Sequence, residues 1–249
     1  MMRIGIAGKG GTGKTTLAAL IVVALLRNNQ KPVLVIDADP NSNLAEVLGV
    51  PQPKSLVEIV DEVTKDKDKT SVGIDRAQYL EFRIREAITE EEGFDLLVMG
   101  KTEGPGCYCY CNHLLREHME GLQQNYRFIV MDNEAGLEHL SRRTTRQLEL
   151  LLVTALPDKV SLLSAMRIQE MTKKLDLEIG EVKFVLNEIG KHLPMPSTRM
   201  TTLPIFFTLP FDPEIWYRSY EGKGLIGLSE DSPAYRVVLE KLSPLFQKI

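Results

Sequence analysis

A glycine-rich segment near the amino terminus has the residue types and the spacing that suit phosphate binding. The residues from Gly8 to Thr15 match the pattern G-x4-G-K-[ST]. Glycines let backbone N–H groups surround phosphate oxygens, the lysine can reach the β- and γ-phosphates, and the Thr15 hydroxyl can ligate Mg²⁺. The pattern predicts a nucleotide-binding loop rather than a glycine turn without a ligand. The predicted contacts are Gly10, Gly11, Thr12, Gly13, Lys14, Thr15 and Thr16.

Carboxylates follow two continuous apolar runs farther along the chain. Residues 33–36 lead into Asp37 and Asp39, and residues 128–131 lead into Asp132. Buried parallel strands read as such runs, and they deliver their last residues to one edge of the sheet. Mg²⁺ prefers hard oxygen ligands and often keeps several waters, which acids outside the direct ligand shell can hold. Each aspartate alone could be a helix N-cap, but their occurrence together with the loop argues against that alternative.

Three cysteines, Cys107, Cys109 and Cys111, lie within five residues, and the chain contains no others. Residues two apart are poorly placed to form a disulfide with one another. Thiolates bind Zn²⁺, Cu⁺ and Ni²⁺, and a tetrahedral site needs four ligands. A Cys-x-Cys pair supplies two, so two copies of the chain related by a two-fold axis would supply four.

These groups need a scaffold, and the apolar pattern predicts strands alternating with helices. Predicted strands cover residues 3–7, 33–36, 94–99, 128–131, 150–154, 182–186 and 205–209. Predicted helices include the stretch after the glycine loop to about residue 28 and residues 111–124, 138–149 and 159–175, with a closing amphipathic helix from 233 interrupted near Pro244. Trp216 is interpreted as a packing residue. The alternation predicts an α/β fold in which a single doubly wound, mostly parallel sheet is flanked by helices. Because the sequence contains no repeat or linker, we predict one domain over residues 1–249.

The composition excludes several functional classes. The chain has 249 residues, a formal charge of −4, 43% apolar residues and 6% aromatic residues, which is ordinary for a globular protein and not for collagen or disorder. No cluster of Lys and Arg with interleaved aromatic residues is present, so nucleic acid is not an expected partner. The longest apolar run, residues 17–26, is about half of what a membrane-spanning helix needs, and the first residues do not form a leader. We expect a cytoplasmic protein without a membrane partner.

Lys9 adds a second lysine to the loop, and the resulting Lys-Gly-Gly-x-Gly-Lys-Thr pattern resembles the deviant Walker A loop of the MinD/ParA/nitrogenase iron protein class. The resemblance implies a MinD-like P-loop ATPase that binds ATP or ADP with Mg²⁺. It also implies that Lys9 reaches across a nucleotide-sandwich dimer to the partner's phosphates, and that Lys14 acts in its own site. In the first switch, Asp39 would orient or activate the attacking water, and Asp37 would support Mg²⁺ through its waters.

The same resemblance extends to the second switch and to the base. The run ending in Asp132 looks like a Walker B strand, and residues 132–136, which end at Gly136, look like the second switch. Asn187 follows the predicted strand 182–186, where this class commonly presents an asparagine to adenine. Pro210 and Phe211 would line the other side of the base. Turn chemistry is the alternative for Asn187, and core packing is the alternative for Phe211.

Three motifs in order narrow the resemblance to the CooC/AcsF family of nickel-maturation ATPases. They are the loop from Gly8 to Thr16, the Gly-rich lead into Cys107-Tyr108-Cys109, and the run from Ala135 to Leu140 that follows Asp132. The likeness implies an ATP-hydrolysing metallochaperone that forms a homodimer on binding ATP or metal and inserts nickel into carbon monoxide dehydrogenase or acetyl-CoA synthase.

The metal site that this likeness implies lies in a loop at about residues 104–113. Cys107 and Cys109 would hold Ni²⁺, or Zn²⁺ in its place, between two subunits. Cys111 departs from the two-cysteine pattern: it could add a thiol, replace a ligand, or be a small buried residue at a helix start, which we favour. His113 is interpreted as a surface or capping residue rather than a ligand, and an ordinary helix start explains Glu138 and His139 as well as a relay of nucleotide state does.

Two other functions fit parts of the pattern. An iron–sulfur electron-transfer ATPase like the nitrogenase iron protein would need a cysteine close to the second switch, and residues 132–136 contain none. A MinD/ParA-type positioning ATPase would leave the three cysteines without a role. Lys241 and Lys248 beside the apolar face of the tail would make only a weak membrane anchor.

Overall fold

The computed structural model describes residues 1–65, 76–101, 125–134, 147–174, 178–187 and 204–247. These residues form one eight-stranded sheet in the order β3-β4-β2-β5-β1-β6-β7-β8. Every pair of neighbouring strands is parallel except β3 and β4. The strands are β1 Met2–Gly8, β2 Val33–Ala38, β3 Thr89–Glu91, β4 Phe94–Val98, β5 Phe128–Asn133, β6 Gln147–Ala155, β7 Glu178–Asn187 and β8 Ile205–Leu209.

Helices cover both faces of the sheet. They are α1 Lys14–Arg27, α2 Leu44–Leu48, α3 Leu56–Lys65, α4 Arg76–Glu86, α5 Lys159–Thr172, α6 Pro213–Tyr220 and α7 Pro233–Phe246. Buried residues of α1, α2 and α7 form one apolar cluster with the sheet, and those of α3, α4 and α5 form a second. Two clusters separated by a parallel sheet define a doubly wound fold, so the predicted fold class is confirmed. None of the helices in these ranges is both long and apolar enough to cross a membrane.

The central strand and the first helix hold the glycine loop in place. β1 pairs with β5 on one side and with β6 on the other. Ten of the fourteen residues of α1 are buried, which explains the long apolar run at residues 17–26. A helix that is apolar on nearly all sides must pack within the protein, in this case against the sheet, α2 and α7. The loop between β1 and α1 is therefore anchored at both ends in the core.

Three local predictions differ from the structure. The predicted helix 138–149 overlaps β6, which begins at Gln147, because Leu148 and Leu150 alternate with polar residues in a strand pattern. α7 continues through Pro244 because Leu242 and Phe246 are both buried, and Phe246 packs edge-to-face on Phe128 with ring centroids 5.6 Å apart. A proline in the last turn disturbs few hydrogen bonds. The short antiparallel edge strand β3 was not predicted.

Candidate functional site

The glycine loop opens directly into helix α1 at the carboxyl edge of the sheet. Gly13 is the N-cap of α1 and has a left-handed backbone with φ of 83°. A Cβ atom at this position would lie 2.2 Å from Nδ2 of Asn187. The left-handed backbone conformation favours glycine here, and a larger residue would also displace the Asn187 side chain. The first backbone N–H groups of α1 have no partner within the helix, which makes them donors for an anion.

Two threonines fix the shape of the loop from beneath. The Thr12 hydroxyl lies 2.7 Å from the carbonyl oxygen of Lys9 and 2.7 Å from the hydroxyl of Thr154 on β6. Both threonines are buried. If the Thr154 hydroxyl donates to the Thr12 hydroxyl, the Thr12 hydroxyl can donate to the Lys9 carbonyl, so both hydroxyl protons take part in hydrogen bonds. Thr12, predicted as a nucleotide contact, thus places its side chain inside the loop, and Thr154 is a supporting residue that sequence analysis missed.

Lys14 is a buried cation that lacks a carboxylate partner. Lys14 is only 6% exposed to solvent. Among the residues that the structure describes, no carboxylate lies within ion-pairing distance of its ammonium group. A buried charge is costly unless it is paired. The first turn of α1 is therefore suited to an anion such as the phosphates of a nucleotide.

Two of the predicted carboxylates lie side by side on adjacent strands. Asp37 of β2 and Asp132 of β5 are register partners, and both are fully buried. Neither carboxylate oxygen of Asp132 has a hydrogen-bond partner among the described residues. Burial raises the pKa of Asp132 from 3.8 to about 7, while the side chain of Thr15 and the charge of Lys14 act in the opposite direction. A buried acid with unused oxygens near Thr15 fits a Mg²⁺ site.

Asp37 instead organises the segment that follows β2. Its Oδ1 accepts from the backbone N–H of Asp39 at 3.1 Å, and its Oδ2 accepts from that of Leu44 at 2.9 Å. Burial raises the pKa of Asp37 to about 6 despite these two bonds. Asp37 thus ties Asp39 and the start of α2 to the sheet beside Asp132.

Asp39 is half-buried and lines a pocket together with the glycine loop. Its Oδ1 accepts from both the backbone N–H and the side-chain amide of Asn41, each at 2.9 Å. These bonds fix the position of the carboxylate in the pocket lining. The position suits a group that orients a water molecule beside a bound phosphate.

A pocket of about 510 Å³ joins the predicted phosphate and base residues. Of the predicted residues, its lining includes Gly10, Gly11, Gly13, Lys14, Thr15, Thr16 and Asp39 together with Asn187, Pro210 and Phe211. Asn187 donates from Nδ2 to the carbonyl oxygen of Thr12 at 3.0 Å, so β7 and the loop hold one another. Sequence analysis missed Asn41, Asn43, Ile215, Trp216 and Ser219, which also line the pocket.

The interpretation of Trp216 as a packing residue is wrong. Trp216 is 62% exposed and lies on α6, which contributes no buried residue. A lone tryptophan is usually buried, and this expectation misled the sequence analysis.

Several predicted residues lie outside the described ranges. They are Cys107, Cys109, Cys111, His113, Gly136, Glu138 and His139, together with the whole loop at about residues 104–113. All cysteines and histidines of the chain lie outside the described ranges. In the described ranges, no group of three or more His, Cys, Asp or Glu side chains forms a metal site.

The buried charge of Asp132 predicts a pH-dependent gain in stability for Asp132→Asn. Because the pKa of Asp132 is raised from 3.8 to about 7, folding favours its protonated form. The wild-type protein without nucleotide or Mg²⁺ therefore loses stability as the pH rises from about 4 through about 7. At about pH 8 we expect Asp132→Asn to be more stable to urea by roughly 2–4 kcal/mol.

Below about pH 4 both side chains are neutral, so this difference should disappear. Asp231→Asn is the matched control, because Asp231 pairs with Arg236 at the exposed surface and has little burial to relieve. A gain from Asp132→Asn that is the same at both pH values, or a loss at pH 8, would contradict the buried charge at this position.

Comparisons with known proteins agree with the fold and the loop. The family model described as the CobQ/CobB/MinD/ParA nucleotide binding domain matches residues 4–225. An uncharacterized ATP-binding protein of Methanocaldococcus jannaschii is 36% identical, with 99% of both chains covered. The carbon monoxide dehydrogenase accessory protein CooC of Rhodospirillum rubrum is 27% identical over 98% of both chains. The solved structure of the cell division ATPase MinD of Pyrococcus furiosus has a TM-score of 0.68 and 25% identity, covering 98% of this chain and 99% of that one.

Proposed function

The chain belongs to the CobQ/CobB/MinD/ParA nucleotide-binding domain family, and from that premise we propose that it is a Mg²⁺-dependent ATPase whose homodimer delivers nickel to an enzyme. The observation that carries the ATPase is the buried Lys14, which has no carboxylate partner among the described residues and lines a pocket of nucleotide size. The proposed client is carbon monoxide dehydrogenase or acetyl-CoA synthase.

The residues around the loop have separate tasks in ATP hydrolysis. Lys14 and the backbone N–H groups at the start of α1 bind the β- and γ-phosphates and stabilise the charge that develops on them. Mg²⁺, held by the Thr15 hydroxyl and by waters on Asp37 and Asp132, would neutralise phosphate charge. Asp39 accepts a hydrogen bond from the attacking water and aims its oxygen at the γ-phosphorus. The new P–O bond forms as the bond to ADP breaks.

We assign Lys9 to the nucleotide site of the partner subunit. It lies at the exposed tip of the loop, and only its backbone carbonyl takes part in the Thr12 anchor. Its side chain is therefore placed where a second copy of the chain can approach. A cation supplied across the interface would make hydrolysis depend on dimerisation.

The metal-delivery part of the proposal rests on the cysteine motif and on the CooC relative. CooC of Rhodospirillum rubrum bears the name of a carbon monoxide dehydrogenase accessory protein and aligns over 98% of both chains. Cys107 and Cys109 supply two thiolates per chain, and a dimer supplies the four that a tetrahedral site needs. Nickel is the cargo in this scheme, and Zn²⁺ can occupy the same thiolates.

Native mass spectrometry tests this proposal by counting metals and chains together. The metal-free protein is titrated with Ni²⁺ and separately with Zn²⁺, with and without ADP. We expect one metal ion per dimer, because each chain provides only half of the site. One metal per monomer, or a dimer without metal under all conditions, would contradict a shared nickel site.

The likeness to MinD favours a positioning ATPase as the second candidate. Such a protein would need a surface that binds a membrane or another scaffold. The apolar residues Val238, Leu242 and Phe246 of α7 are buried against the sheet and so are not free to insert into lipid. Sedimentation of the protein with anionic vesicles in the presence of ATP would favour this candidate over metal delivery.

A further inference from the structure

The single tryptophan of the chain lies at the rim of the nucleotide pocket with most of its surface in solvent. Trp216 lines the pocket and is 62% exposed. Leaving a large aromatic side chain in water forgoes the free energy that its burial would provide. Neither the packing of the core nor the hydrolysis mechanism above uses this side chain.

The pocket lining combines two kinds of side chain. Lys14, Thr15 and Asp39 are charged or polar, whereas Leu209, Phe211 and Ile215 are apolar. A nucleotide needs both kinds of contact, because its phosphates are charged and its base is flat and largely apolar. With the phosphates on the glycine loop, the residues after β8 and those of α6, including Trp216, form the apolar lining that remains for the base.

Hydrogen bonds at its N-terminus anchor helix α6, which carries the indole. The buried Asp212 caps α6 by accepting from the backbone N–H groups of Glu214 and Ile215, at 2.9 and 3.3 Å. Its other oxygen accepts from the Ser232 hydroxyl at 2.5 Å and thereby ties the cap to the start of α7. Trp216 begins the first regular turn after this cap, since its backbone N–H donates to the Asp212 carbonyl.

Tyr220 further restricts the indole. The two rings are stacked, with centroids 5.8 Å apart and planes 6° from parallel. Such a pair limits rotation of the indole, so less conformational freedom is lost when a ligand binds. The arrangement resembles a stacking platform, in which one ring supports another that contacts the ligand.

We propose that Trp216, supported by Tyr220, stacks on the base or sugar of the bound nucleotide and gives the site its preference for nucleotides over bare polyphosphates. This inference rests on the nucleotide binding in the proposed function. Stacking uses the flat face that every base possesses, and it contributes affinity without reading the edge of the base. Any choice between bases must then come from other groups, such as Asn187.

The test compares ADP with inorganic triphosphate, which carries no base, by isothermal titration calorimetry in Mg²⁺. In Trp216→Ala we expect ADP affinity to fall by about tenfold or more, since base–aromatic stacking is of this size. Triphosphate affinity should stay unchanged, because the loop and Lys14 are intact. Trp216→Phe keeps a flat ring and should restore most of the ADP affinity.

Tyr217→Ala is the matched control. Tyr217 is a neighbouring aromatic residue on α6 and is 52% exposed, but it does not line the pocket. We expect wild-type affinity for both ligands in this variant. The lone tryptophan also gives a direct signal: with excitation selective for tryptophan, ADP should change its emission and triphosphate should not.

The outcomes separate this inference from the proposed function. If the wild-type protein binds ADP and Trp216→Ala binds it equally well, the stacking role is wrong while the ATPase stands. Equal losses of ADP and triphosphate would show that Trp216 only supports the fold of the pocket. Loss of dimerisation with full ADP affinity would instead assign Trp216 to a protein interface. If the wild-type protein binds neither ligand, both proposals fail.

Discussion

Lys14→Ala is expected to lower the rate of ATP hydrolysis by about 100- to 1000-fold, the loss typical of removing one group that stabilises transition-state charge. The wild-type ammonium group is buried and lacks a carboxylate partner within the described residues, so phosphate oxygens are its natural counter-charge. Because the same contact exists before and during the reaction, ATP binding should weaken as well. Phosphate release and calorimetric titration with ATP measure the two effects separately.

Two lysine variants serve as comparisons for Lys14→Ala. Lys54→Ala removes an exposed cation that pairs with Glu62 far from the loop, and it should leave hydrolysis unchanged. Lys9→Ala should retain ATP binding, because Lys9 does not line the pocket of its own chain, and should still lose hydrolysis. Hydrolysis by Lys14→Ala within a few fold of wild type would rule out the loop as the catalytic phosphate site.

The double variant Cys107→Ser/Cys109→Ser is expected to abolish metal-dependent dimers. It removes all four thiolates of the proposed site between two chains, and thiolate zinc sites contribute on the order of 10 kcal/mol of binding free energy. Sedimentation velocity with added Ni²⁺ should therefore show dimers for the wild-type protein and monomers for the variant. ATP affinity of the monomer should be kept, since the pocket is built from other residues.

Cys111→Ser is the matched control for the cysteine pair. If Cys111 is a small residue at a helix start, its replacement leaves metal-dependent dimerisation intact. Metal and nucleotide favour the same dimer in this proposal, so each must tighten binding of the other by an equal factor, with about 1.4 kcal/mol for each tenfold change. Metal-induced dimers that persist in the double variant would refute the assignment of Cys107 and Cys109.

The phosphate loop and the fold class could be predicted because both depend on short stretches of sequence. The seven predicted strands that the structure describes all occur, since each is a compact apolar run between polar segments. The loop pattern lies within eight residues, and its position between a strand and a helix follows from the same periodicity. The predictions are wrong where local patterns are ambiguous. At Gln147, the alternation of polar and apolar residues that begins β6 directly follows the predicted helical stretch, so the predicted helix extends into the strand.

By itself, the sequence determined the chemistry available: a loop for phosphates, acids at strand ends and clustered thiols. Only the tertiary structure decided which groups meet, because strand order is not written in local periodicity. It paired Asp37 with Asp132 across two strands and set Thr154 beneath Thr12. It also placed Trp216 at the pocket rim rather than in the core. These contacts join residues far apart in the chain, and the free energy that selects them comes from packing the whole sheet between its helices.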